Sequence, residues 1–148
     1  GQCSIADYQN FVYPLLDYRG SDQDFIAAWN SIFTPIQPTW ELAKSLAEKG
    51  HRLILFSNTN AIHAPYCLEN YAIFQYFDHA VFSHEIGAIK PDAAFFTKAF
   101  DAFDIIPEDT IYIDDLPQNI AMGKQLGLHS FCYDEKKHHQ LLHWLEQF

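Results

Sequence analysis

Apolar and polar positions along this chain follow two rhythms, and the change falls near residue 35. Before it, apolar residues recur only at helical spacing. Ser4 is a candidate N-cap for a helix carrying Ile5, Tyr8, Phe11 and Val12 on one side, and Pro14 is expected to end or kink it. A turn at Arg19–Asp22 leads into a second helix, with Phe25, Ile26, Trp29, Ile32 and Phe33 as its apolar stripe. Pro35 and Pro38 punctuate a short linker.

Beyond the linker, helical periods alternate with short apolar runs. Helices are expected over Thr39–Lys49, Ala61–Tyr71, Asp92–Phe103, Pro117–Leu126 and Glu135–Phe148, the first closed by Gly50 and the fourth by Gly127. The runs Arg52–Ser57, His79–Ser83, Thr110–Asp114 and His129–Tyr133 read as short buried strands. Phe95, Phe96 and Phe100 share a helical face and read as core. Strands alternating with helices predict right-handed crossovers and a parallel sheet, an α/β fold.

Three element ends carry polar groups. The third strand stops on two adjacent carboxylates, Asp114 and Asp115, and Pro117 suits the first turn of the helix that follows. In an open parallel sheet this places the acids at the carboxyl edge, where such sheets bind ligands. Adjacent like charges are unfavourable without a cation nearby. A hard divalent ion such as Mg²⁺, shared with water and phosphate, meets that need; solvated loop acids are the simpler alternative. The first strand ends in Ser57-Asn58-Thr59-Asn60, suited either to a phosphate oxygen or to a plain helix cap. Lys90 precedes Pro91, which biases its backbone toward an extended form and lets its ammonium be aimed into a cleft.

Composition narrows the partners. A formal net charge of −10 over 148 residues argues against nucleic acid and anionic membrane surfaces. No apolar stretch approaches the roughly 20 residues of a membrane span, and Gly1–Asp7 has no signal-peptide pattern. Cys3, Cys67 and Cys132 are widely spaced and form no CxxC pair, so a reducing cytoplasm is expected rather than a disulfide framework. His139 and His143 have the spacing of a helical metal pair, but the sequence lacks the Glu of HExxH, and a solvated face is the expected role.

Taken in order, LFSNTN, IGAIKPDAAFF and IYIDDLPQNIAMGKQLG resemble the second, third and fourth motifs of the haloacid-dehalogenase-like (HAD) superfamily. The match is most similar to its sugar-phosphate phosphatases and to the phosphatase domain of some epoxide hydrolases. The resemblance implies a Rossmann-like parallel sheet with flanking helices over residues 36–148, and a remnant of a small helical cap over residues 1–35. It implies Mg²⁺-dependent hydrolysis of a small phosphorylated metabolite through an aspartyl-phosphate. Ser57 and Asn58 would contact the phosphate, Lys90 would neutralise charge on the nucleophile and on the transferring phosphoryl group, and Asp115, with Asp114 directly or through water, would hold Mg²⁺.

The family's first motif, a strand ending in Asp-x-Asp that supplies the nucleophile, has no counterpart here. Asp22-Gln23-Asp24 follows no apolar strand, and its acids read as first-turn helix residues. In the family that strand lies between the ones ending here in Ser57 and Asp114. The expectation is therefore a later part of a longer protein, inactive by itself. A non-catalytic binding protein of the same fold is the alternative, and a dehalogenase a weaker one because those enzymes need no Mg²⁺. A response-regulator receiver is excluded by motif order. Neither oligomeric state nor substrate identity is legible.

Overall fold

The computed structural model describes residues 4–148, so Cys3 lies outside the described residues. Two helices come first. The first, α1 (Ile5–Leu16), opens with a capping box in which Ser4 and Asp7 satisfy each other's backbone N–H groups. It continues to Leu16, so Pro14 does not end it. Pro14 lies in the last turn, so the bond its nitrogen cannot make to the Asn10 carbonyl is lost only near the helix end, and the amides of Asp17 and Tyr18 close that end on Pro14 and Tyr13. The second, α2 (Asp22–Asn30), is capped by Ser21 and stops short of Ile32 and Phe33, because the Ser31 hydroxyl turns back onto the Ala28 carbonyl. Next comes α3 (Gln37–Glu48), which starts ahead of the expected Thr39 with Pro38 in its first turn.

The strands are β1 (Ile54–Ser57), β2 (His79–Phe82), β3 (Ile111–Asp114) and β4 (His129–Cys132). Between and after them run α4 (His63–Asn70), α5 (Ser83–Ile86), α6 (Ala93–Phe103), α7 (Pro117–Gln125) and α8 (His138–Leu145). A 3₁₀ turn at Ala72–Tyr76 and the short α5 carry no clear periodicity and were not expected. Every strand pairs in parallel, as the alternation predicts. The pairing nevertheless falls into two separate ladders, β1 with β2 and β3 with β4.

What joins the two ladders is side-chain packing. On α6, Phe95, Phe96 and Ala99 are completely buried, and the Phe96 ring meets both Phe56 of β1 and Tyr112 of β3. Burying each of these phenylalanines contributes about 1.5–3 kcal/mol. Val81, Ile120 and Leu128 complete the cluster. Against the same Tyr112, α7 lies so close to the β3–β4 ladder that a Cβ on Gly123 would come within 2.7 Å of Ser130 and of Tyr112. By contrast Ile54, Leu55 and Phe56 of β1 are only half-buried. No helix among the described residues is long and apolar enough to cross a membrane.

The helices α2 and α4 are tied by one buried contact. His63 Nδ1 lies 2.9 Å from Asn30 Oδ1, and the imidazole stacks on Trp29 with Phe33 edge-on against it. Burial holds the His63 imidazole below its ordinary pKa.

Candidate active site

Two strand ends and one loop build the site. Parallel pairing sets Ser57 beside Phe82 at the carboxyl end of β1, and Asp114 beside Cys132 at the carboxyl end of β3. The loop between α5 and α6 lays Lys90 across the gap between them. Its ammonium donates to the Phe56 carbonyl of β1 at 2.8 Å and to Asp114 Oδ2 of β3 at 2.6 Å. This ion pair is withdrawn from solvent, with side-chain exposures of 8% and 6%.

The Asp114 carboxylate is fully engaged. Oδ2 also accepts from the Tyr112 hydroxyl at 2.7 Å, while Oδ1 accepts from the Leu116 amide and from Asn119 Nδ2, both at 2.9 Å. Burial by itself would raise its pKa; the Lys90, Tyr112, Leu116 and Asn119 hydrogen bonds outweigh that and hold the carboxyl below the ordinary range. The Tyr112 phenol moves far the other way, first because it is buried and then because it donates to an anion. It stays protonated and donates to Asp114.

The other predicted residues lie around this pair. Ser57 Oγ has no hydrogen-bond partner among the described residues and stands at the strand end next to Phe56. Asn58 turns its side chain onto the backbone of Lys90, accepting from its N–H at 2.8 Å and donating to its C=O at 2.9 Å. Asp115 is exposed, and its carboxylate makes no hydrogen bond or ion pair among the described residues. The helix-cap role that the Ser57–Asn60 segment also allowed belongs to Asn60, whose Oδ1 takes the amides of Ile62 and His63.

Two groups escaped the sequence reading. Tyr112 sits two residues before Asp114 and so on the same strand face, a spacing that could have marked it. Asn119 is 2% exposed in the first turn of α7 and folds back onto the acid. Conversely Asp22 and Asp24 lie in the first turn of α2, where Asp22 accepts from Tyr13 and Asp24 pairs with the capping Ser21. His139 and His143 lie on α8, with His143 beside Glu146.

The donor set suits one hard cation held in part by water. Asp115 offers a free, exposed carboxylate; Asp114, with four donors on two oxygens, has room only for a water-mediated contact. Mg²⁺ is commonly held by one or two carboxylates with water completing its shell, and one exposed and one engaged carboxylate would fit such an ion. Among the described residues there is no cluster of three or more His, Cys, Asp or Glu placed to enclose a metal ion.

Known proteins resemble this chain in sequence and in fold. The chain is 30% identical over 89 residues to a D-ribitol-5-phosphate phosphatase of Bacteroides thetaiotaomicron, covering 56% of this chain and 43% of that protein. It is 30% identical over 118 residues to the rhythmically expressed gene 2 protein of Drosophila melanogaster, covering 77% of this chain and 45% of that one. The chain thus spans less than half the length of either curated relative. Among solved structures, an alanine-substituted HAD family enzyme of Bacteroides thetaiotaomicron, in complex with magnesium and inorganic phosphate, superposes with a TM-score of 0.80. Identity there is 26%, over 90% of this chain and 72% of that one. A family model for haloacid dehalogenase-like hydrolase matches residues 13–127, which hold Ser57, Lys90 and both acids. That match covers most of the chain, the fold of the solved structures agrees with it, and the chain belongs to the haloacid dehalogenase-like hydrolases.

Proposed function

We propose that this chain supplies the phosphate- and metal-binding part of a Mg²⁺-dependent hydrolase of small phosphomonoesters, with a sugar phosphate as the favoured class. The observation that carries the reading is the Lys90–Asp114 pair, set at the carboxyl edge between Ser57 and Asp115. The ammonium has three N–H donors, two of which go to Phe56 and Asp114. The third is left for a phosphate oxygen, and the Ser57 hydroxyl can donate to another. Asp115 would hold Mg²⁺ directly and Asp114 through water; the bound ion would neutralise charge on the phosphoryl group. Electrostatic clamping of this kind is what phosphoryl transfer most needs from a protein. The named relatives, a ribitol-phosphate phosphatase and an enzyme seen with magnesium and phosphate, support the substrate class.

The nucleophile of this reading is an aspartate outside these residues, at the end of a strand lying between β1 and β3. Two separate ladders and a half-exposed β1 support that placement. So does the engagement of Asp22 and Asp24 with helix-terminal partners. Residues 1–35 then belong to a helical cap and 36–148 to the α/β core. Unaided phosphate-monoester hydrolysis is so slow that enzymes accelerate it up to ~10²¹-fold, and a site without its nucleophile gives almost none of that.

The test assays phosphate release from a panel of sugar phosphates, with and without Mg²⁺. The protein purified from its source runs beside the 148-residue chain. Mg²⁺-dependent release by the former and none by the chain alone is expected. Release by the chain alone that survives Asp22→Asn and Asp24→Asn contradicts the missing nucleophile. Absence from both contradicts the hydrolase and favours a binding protein.

A further inference from the structure

We infer that Asn58 acts through Lys90 as a positioning residue, and is not itself the phosphate ligand that its place beside Ser57 implies. The inference rests on the phosphatase reading of the site and deepens it. Lys90 lies on an irregular loop, after Gly87 ends α5 in a left-handed conformation and before α6 begins at Ala93. No strand or helix fixes its backbone. A lysine there has four methylene groups with which to swing, and ordering such a side chain carries an entropic cost. The observed ammonium is nevertheless pinned at two points, on Phe56 and on Asp114.

The Asn58 amide supplies the missing constraint at the base. It meets both polar groups of the Lys90 main chain, at 2.8 and 2.9 Å, across 32 residues of sequence. Asn58 directly follows Ser57, so the clamp ties the backbone that carries the hydroxyl to the backbone that carries the ammonium. Their separation is thereby set before any phosphate arrives. The carbonyl oxygen of Asn58 is occupied by the Lys90 N–H, and one amide hydrogen is spent on the Lys90 carbonyl. Asn60 in the same loop does different work, capping α4, and so provides a control.

The test uses the isotopically labelled 148-residue chain and reads the Lys90 side-chain NH₃⁺ signal, assigned by its loss in Lys90→Arg. Asn58 does not touch that ammonium. In Asn58→Ala the NH₃⁺ signal should shift or broaden, and the Lys90 amide should exchange with solvent about tenfold faster, the loss of roughly one hydrogen bond. Inorganic phosphate, titrated with Mg²⁺, should bind more weakly by a similar factor. Asn60→Ala should lower the melting temperature and leave the NH₃⁺ signal in place. Should Asn58→Ala not fold, Asn58→Asp keeps the acceptor for the Lys90 amide and loses the donor to its carbonyl; the NH₃⁺ signal should still move. An unmoved signal in the Asn58 variants overturns the inference, even when phosphate binding weakens, since that marks a direct ligand. If the unmutated chain takes up no phosphate, the phosphatase reading fails, and a moved NH₃⁺ signal still supports the clamp.

Discussion

The Lys90 ammonium and the Asp114 carboxylate, 24 residues apart in sequence, meet at 2.6 Å and bridge two strand ladders that share no backbone hydrogen bonds. Removing one partner leaves an uncompensated charge in a dry site, which costs about 3–5 kcal/mol. Lys90→Met is expected to lose that much in urea unfolding. Adding Asp114→Asn to it should recover part of the loss, because the stranded charge is gone. A double variant whose loss equals the sum of the singles contradicts the coupling.

Acid should act through the same carboxylate. The folded pKa of Asp114 lies below the ordinary carboxylate value, so the unfolded chain binds the proton more readily. Its contribution to stability is complete above about pH 4 and disappears as pH falls through the depressed folded value. Thermal melts between pH 7 and 3 should show a decline at the acid end that is shallower in Asp114→Asn. An identical slope in the two proteins refutes the assignment.

A second pH effect belongs to the contact between α2 and α4. Burial keeps His63 neutral, with its folded pKa below the ordinary imidazole value of about 6.5. The unfolded chain again binds the proton first. Stability should therefore fall as pH drops below that value, and level off once the folded group is also charged. The His63 ring resonance should titrate below pH 6.5, and Asn30→Ala should remove its 2.9 Å partner. A ring that titrates at the ordinary value rules out this burial.

Gly123 faces Tyr112 and Ser130 with no room for a methyl group, since a Cβ would come within 2.7 Å of each. Gly123→Ala is expected to push α7 off the β3–β4 ladder and to cost about 1–3 kcal/mol of overpacking. Denaturant melts would measure it. A gain in stability, as helix propensity alone predicts for Gly to Ala, would show that the helix can move away freely.

Much of this fold could be read from residue patterns. The four strands announce themselves as short apolar runs, and Phe95 and Phe96 lie in the core as their spacing implies. Element ends were less legible, because local hydrogen bonds such as Ser31 to Ala28 decide them after the periodicity has stopped speaking. At the site, residue types at two strand ends and before Pro91 singled out Ser57, Lys90 and both acids as candidates, and the structure brings Lys90 and Asp114 together. What they do to one another was hidden. Whether Asp114 faces solvent or four donors depends on long-range packing, and the Asn58 clamp spans 32 residues. No local pattern reports either.

The most direct test of the phosphate and metal reading is calorimetric titration of inorganic phosphate into the chain, with and without Mg²⁺. Phosphate should bind, more tightly when Mg²⁺ is present. Ser57→Ala should weaken it about tenfold, the loss of one hydrogen bond to a charged group, and Asp115→Asn should abolish the Mg²⁺ dependence. Phosphate binding that is indifferent to Mg²⁺, Ser57 and Asp115 alike would place the anion elsewhere and contradict the reading.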